Sequence, residues 1–138
     1  MSVPLETGTS SESRTHTIVS GPQTGGAFAV VHEWHVGGFA TPIHIHTREA
    51  EFFYIESGSI ALRVGDSNLV LHEGDSALAP RGIPHAFRVL SDDASFLCFI
   101  SPAGFERFFD EPLTSRSDGA VHRAALTAVY RTYGVEVL

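Results

Sequence analysis

Hydrophobic residues along the chain fall into short runs, interrupted every few positions by turn-forming residues. THTIVS, AFAVVHEWHV, AEFFYIE, SIALRVG, NLVLH, SALAP, HAFRVL and SFLCFI are rich in β-branched and aromatic residues and are bounded by Gly, Pro, Asp, Asn and Ser. About eight such segments with no long helix among them predict an all-β fold, a sandwich or closed barrel of antiparallel strands. Residues two apart on a strand point to the same side. In SIALRVG this turns Ile60, Leu62 and Val64 inward and Arg63 outward; in HAFRV the inward row is His85, Phe87 and Val89, with Arg88 outside. In EFFYI an inward Glu51 carries Phe53 and Ile55 with it and leaves Phe52, Tyr54 and Glu56 outside. In AFAVVHEWHV alternation groups Phe28, Val30, His32, Trp34 and Val36, a row that either brings His32 and Trp34 to a cavity wall or forms a covered sheet surface.

The pattern changes after the last strand. GFERFFDEP reads as a short amphipathic turn with Phe105, Phe108 and Phe109 on one face, and AVHRAALTAVYRTYG as a terminal helix ending at Gly134, with the polar connector LTSRSDG between them. The expected organisation is a mobile arm over 1–14, a barrel over 15–111, and a connector and packing helix over 112–138.

Composition narrows the partners. A chain of 138 residues has the length of one domain with one core. With 43% hydrophobic residues and a net charge of −7, it is globular and lacks the basic footprint of a nucleic-acid or anionic-membrane binder, so a small molecule is the expected partner. No apolar run approaches the roughly 18 residues needed to span a bilayer, and MSVPLETGTSSESRTH has no signal-peptide pattern, so a soluble cytoplasmic protein is expected. Cys98, the single cysteine, can form no internal disulfide and sits in the apolar run FLCFI, where a buried, inert thiol is expected.

The chemistry concentrates in HIHTREAEFF. His44 and His46 lie two apart, so on an extended segment both imidazoles leave the same face and can bind one ion. Two glutamates follow, Glu49 and Glu51, and alternation gives them the same parity. Glu51 directly abuts the apolar run whereas Glu49 lies in the polar connection TREA, which favours Glu51 only weakly. His85 heads an inward apolar row and needs a partner there.

Written as patterns, GFATPIHIHTREAEFFYIESG is G, five residues, H-x-H, four residues, E, six residues, G, and GDSALAPRGIPHAFRV begins G, five residues, P-x-G, two residues, H. The two segments, separated by the fifteen residues from Ser59 to Glu73, resemble the paired motifs of the cupin superfamily. Within it the chain looks most like small single-domain cupins of the quercetinase-like group, through HIHTREAEFFYIESG and, more loosely, SPAGFERFFDE and RTYGVEVL. The resemblance implies a double-stranded β-helix, or jelly-roll barrel, with short C-terminal helices. It also implies a metal held by His44, His46, Glu51 and His85, which leaves Glu49 as a rim residue. The second motif often ends in Asn four residues after its histidine; here that position is Val89, which makes the cavity more apolar.

Three imidazoles and a carboxylate suit one divalent transition ion, Fe, Mn, Ni, Co, Cu or Zn, and leave one or two positions open. The resemblance further implies a dioxygenase acting on a flavonol-like or other enol or phenolic substrate together with dioxygen. Glu51 would be the general base, and Phe53, Phe87, Val89, Trp34, His32, Phe105 and Phe109 would surround the substrate. The same ligands would also serve a non-redox isomerase, lyase or cyclase, or a cupin that binds or senses a small ligand without catalysis. Outward Phe52 and Tyr54, with SFLCFI and AFAVV apolar on both faces, leave more surface than two short helices cover, and a homodimer through a sheet face is expected.

Overall fold

The computed structural model describes residues 13–111 and 119–138. The arm expected over 1–14 therefore lies outside the described residues apart from Ser13 and Arg14, and the connector over 112–118 lies outside them entirely. Among the described residues ten strands run β1 (Ser13–Val19), β2 (Ala29–Val36), β3 (His44–His46), β4 (Ala50–Ser57), β5 (Ile60–Val64), β6 (Ser67–Leu71), β7 (Ser76–Ala79), β8 (His85–Val89), β9 (Asp93–Ser101) and β10 (Val135–Val137). They form two five-stranded antiparallel sheets, ordered β1-β2-β9-β4-β7 and β10-β3-β8-β5-β6. This is a double-stranded β-helix. A 3-10 turn (Phe105–Asp110) and the helix α1 (Gly119–Thr132) follow the barrel.

Alternation builds the core. Phe53 and Ile55 of β4, Ile60 and Leu62 of β5, Phe87 and Val89 of β8 and Phe96, Cys98 and Ile100 of β9 all face the space between the sheets and are buried, while Phe52, Tyr54, Arg63 and Arg88 face out. Cys98 is sealed in this core, and burial, then the charges of Glu51 and Glu33, push its thiol well above the ordinary range, so it is the inert thiol expected. Gly58 makes the β4–β5 turn possible: its φ is +78°, and a Cβ there would stand 2.3 Å from the Asp93 carbonyl oxygen.

The two strands missing from the sequence reading are the shortest, β3 and β10, and they pair with each other: Val135 opposite His46, Glu136 opposite Ile45, Val137 opposite His44. Gly134, at φ +78°, turns the chain from α1 into β10 against the Arg48 side chain. The last residues thus close the open edge of the strand that carries the paired histidines. Among the described residues no helix is long and apolar enough to cross a membrane.

Candidate metal centre

β3 delivers His44 and His46 to the barrel interior, and β8, antiparallel to it, sets His85 directly across from His44. Glu51 comes from the other sheet, paired with Ile100 of β9 and Ala79 of β7. All four side chains are buried, and one ligating atom from each lies within 4.8 Å of the others. Three imidazoles from one layer therefore meet one carboxylate from the opposite layer. Glu51 Oε1 is 3.1 Å from His85 Nε2 and Oε2 is 3.4 Å from His46 Nε2.

Outer contacts fix the rings. His44 Nδ1–H donates to the Pro42 carbonyl at 2.7 Å, and His46 Nδ1–H donates to Glu49 Oε1 at 3.2 Å, which turns both Nε2 atoms towards the centre. Glu49 is not the rim residue that the sequence suggested: at 3% exposure it is as buried as the set it supports. TREA looked like a solvated connection, but its one buried residue, Glu49, is the partner that orients His46.

The charges are organised for a cation. Burial, then the neighbouring His85 and His46, bring His44 down to about 3, so at neutral pH it is a neutral ligand. His46 feels the same burial, but Glu51 and Glu49 outweigh it and raise its pKa. Burial would push Glu51 up, yet His46, the hydrogen bond from His85 and the charges of His85 and His44 bring it down to about 2, so it is an anion. His46 Nε2 and His85 Nδ1 are buried with no hydrogen-bond partner among the described residues; the 3.4 Å approach of Glu51 to His46 is a charge contact, not a hydrogen bond. Bare ring nitrogens beside a buried carboxylate are costly in a protein interior. A divalent transition ion would satisfy the His46 nitrogen that faces Glu51, and the donor set fits one.

Comparison with known proteins bears on the same strands. The Cupin domain family model matches residues 30–100, from β2 to the end of β9. The chain belongs to the cupin family. Quercetin 2,3-dioxygenase of Aspergillus japonicus is 33% identical to this cupin over 98 residues, 66% of the chain and 28% of the relative. A probable oxidoreductase of Hypocrea virens is 31% identical over 74 residues, 51% of the chain and 34% of the relative. The cupin thus spans about a third or less of the length of the curated relatives it matches. Among solved structures, KdgF from Halomonas sp. superposes with a TM-score of 0.63 at 19% identity, over 70% of this chain and 84% of that one. An oxalate decarboxylase superposes with a TM-score of 0.60 at 24% identity, over 67% and 26% respectively, and at these identities both show the shared fold.

The four ligands open onto a cavity of about 50 Å³. Phe53, Phe87, Phe105 and Phe109 line it as expected. Phe105 packs edge-on against the His46 ring, with centroids 4.5 Å apart, and Phe108 and Tyr130 stack at 4.5 Å to seal the α1 side. Three expectations are corrected. Val89 is on the inward row but one step deeper, buried in the core opposite Ile60 and outside the cavity lining. His32 and Trp34 face away from the cavity: His32 pairs with Glu56 at 2.8 Å on the outer face, and Trp34 lies beneath the Arg14 guanidinium. Both rows of β2 mix apolar residues with histidine, Val30, His32 and Trp34 against Val31, Glu33 and His35, so hydropathy gave its parity no anchor. The alternate row, Ala29, Val31, Glu33 and His35, faces in, and Glu33 and His35 line the cavity with Phe39, Thr41, Phe108 and Tyr130. Two titratable residues on one parity of β2 were the available signal.

Proposed function

We propose that this cupin is a metal-dependent dioxygenase acting on a small enol or phenolic molecule. The carrying observation is the position of Glu51, an ionised, buried carboxylate that touches two of three converging histidines at the floor of an aromatic cavity. The sequence similarity to quercetin 2,3-dioxygenase of Aspergillus japonicus supports the same chemistry. His44, His46, Glu51 and His85 would hold the ion. When bound there, a divalent transition metal would supply Lewis acidity, and where it is redox-active a route for electrons between substrate and dioxygen.

The remaining work falls to the chain. Glu51, on swinging off the ion, would accept the enol proton as general base. Phe53 and Phe87 present flat faces to an unsaturated ring, and the closely packed phenylalanines around the mouth keep bulk water from the reacting carbon. Volume decides the size of the substrate. At about 50 Å³ the cavity is a third of the roughly 150 Å³ that holds benzene. A ring therefore enters only when the Phe105–Asp110 turn or Tyr130 moves aside; half-buried Phe109 is the first residue at that mouth. A single-ring enol needs less displacement than a three-ring flavonol.

The experiment is oxygen uptake by the metal-loaded protein with hydroxypyranones and flavonols. Substrate-dependent consumption that stops on metal removal supports the dioxygenase. Turnover at the same rate under strict anaerobiosis would replace it with non-redox chemistry at the same ligands.

The reading includes a homodimer. The outer face of the β1-β2-β9-β4-β7 sheet exposes Phe52 and Tyr54 on β4, Phe99 opposite Phe52 on β9, and Leu78 opposite Phe52 on β7. Four neighbouring large apolar residues on one sheet face suit burial against a second copy.

A further inference from the structure

On the same sheet as Glu51, level with Phe96 of β9 where Glu51 is level with Ile100, stands a second polar pair that the chemistry above does not use. Glu33 and His35, two apart on β2, are 5% and 3% exposed. His35 Nε2–H donates to Glu33 Oε1 at 2.8 Å; its Nδ1 meets the Ser13 hydroxyl, also at 2.8 Å; and its ring stacks on Phe39 at 3.9 Å with only 9° between planes. Both ring nitrogens and one ring face are thus engaged, and the imidazole is clamped. Glu33 is not: among the described residues its carboxylate has no hydrogen-bond partner except His35, and it lines the same cavity as Glu51.

Such a pair is a poor way to build an aromatic wall. A buried carboxylate–imidazole pair contributes little or nothing over apolar residues of the same volume, and an acceptor with free lone pairs is expensive to bury. Phe39, Phe53 and Phe87 show what the wall uses where nothing polar is required. The two carboxylates also border one space: Tyr130, already raised by burial, is raised further by the charges of both Glu51 and Glu33.

We propose that Glu33, held by His35, is the cavity's second binding point and accepts a hydrogen bond from a hydroxyl or N–H at the end of the substrate remote from the metal ligands. This rests on the reading of those ligands as the site that takes the enol oxygen. It defines the substrate class: one end an enol, the other a neutral hydrogen-bond donor. A second carboxylate on the substrate is disfavoured, because it would bring two acceptor groups with no proton between them to the Glu33 carboxylate.

The test uses two hydroxypyranones with one chelating head, kojic acid and allomaltol, which differ only in a remote hydroxymethyl against a methyl group. Dissociation constants are measured by calorimetry on the metal-loaded protein, wild type and Glu33→Gln. A hydrogen bond to a charged acceptor predicts that wild type prefers kojic acid by about tenfold or more, and that Glu33→Gln reduces this preference severalfold while leaving allomaltol within about twofold. An equal loss for both probes would make Glu33 a structural residue and overturn the proposal, as would the absence of a preference in wild type, a comparison that needs no variant to fold. Wild-type protein that binds neither probe overturns the enol reading itself, and the proposal with it.

Discussion

Glu49 and Glu51 are two residues apart and equally buried, yet they act at different distances from the centre. Glu51 touches His46 and His85 directly, whereas Glu49 reaches the centre only through the Nδ1 of His46. Glu51→Gln is expected to abolish stoichiometric metal binding. Glu49→Gln is expected to weaken it by about 10–100-fold, the usual cost of losing the group that orients a ligating histidine, and titration of metal-free protein with Zn²⁺ or Co²⁺ distinguishes the two. Protons compete at the same atoms. In the metal-free protein His44 falls from 6.5 when unfolded to about 3 when folded, and Glu51 from 4.5 to about 2, so over each window the unfolded chain holds the extra proton. Stability is therefore lost on acidification, beginning near pH 6.5 through His44 and joined by Glu51 below pH 4.5. His46 has the opposite sign: its contribution is complete below 6.5 and is lost as pH rises through its raised folded value. Thermal melts in chelator at pH 7, 5.5 and 4 should show a falling melting temperature; a rising one would mean that His44 is not held neutral. At this scale the four ligands were legible because two long motifs specify them. Glu33 and His35 were not, because apolar and polar residues stand in both rows of β2 and hide its parity.

The elements explain why three residues of β3 can position two ligands. β3 is too short to be stable as a lone strand, and it is held on one side by β8 at His44–His85 and on the other by β10. Deleting Val135–Leu138 removes that second ladder, including the Leu138 N–H bond to Ile43, and uncovers the edge of β3. The deletion is expected to weaken metal binding by at least about tenfold and to raise hydrogen exchange in β3 while leaving β4 and β9 protected. Unchanged exchange in β3 would mean that β8 alone fixes the histidines. The eight longer strands and the terminal helix could be read from their composition and punctuation. β10 could not: VEV after Gly134 carries too few alternating positions to stand out, and its reason for being a strand is a partner about ninety residues earlier in the chain, which local pattern does not contain.

The whole molecule is a device for bringing three histidines of one sheet against one glutamate of the other. The same construction exposes Phe52, Tyr54, Leu78 and Phe99 on the outer face of the β4-containing sheet. Sedimentation equilibrium at micromolar concentration is expected to give twice the chain mass, and Leu78→Lys to halve it; a monomer in both leaves that face without a partner copy. An antiparallel sandwich or closed barrel was foreseeable from the number and punctuation of the strands, and the jelly roll with residues 44, 46, 51 and 85 at its centre from the resemblance of the two motifs to those of the cupins. The cavity's size was not, since it depends on how Phe105, Phe108 and Tyr130 pack across its mouth. The central claim is that this interior holds one transition ion between the two sheets. An anomalous difference map from a crystal of protein purified without added metal tests it most directly. The account predicts a single peak per chain, ligated by His44, His46, Glu51 and His85 with Glu49 outside the coordination sphere. No peak there after incubation with Zn²⁺ or Co²⁺, or a peak ligated by Glu49 in place of Glu51, would contradict it.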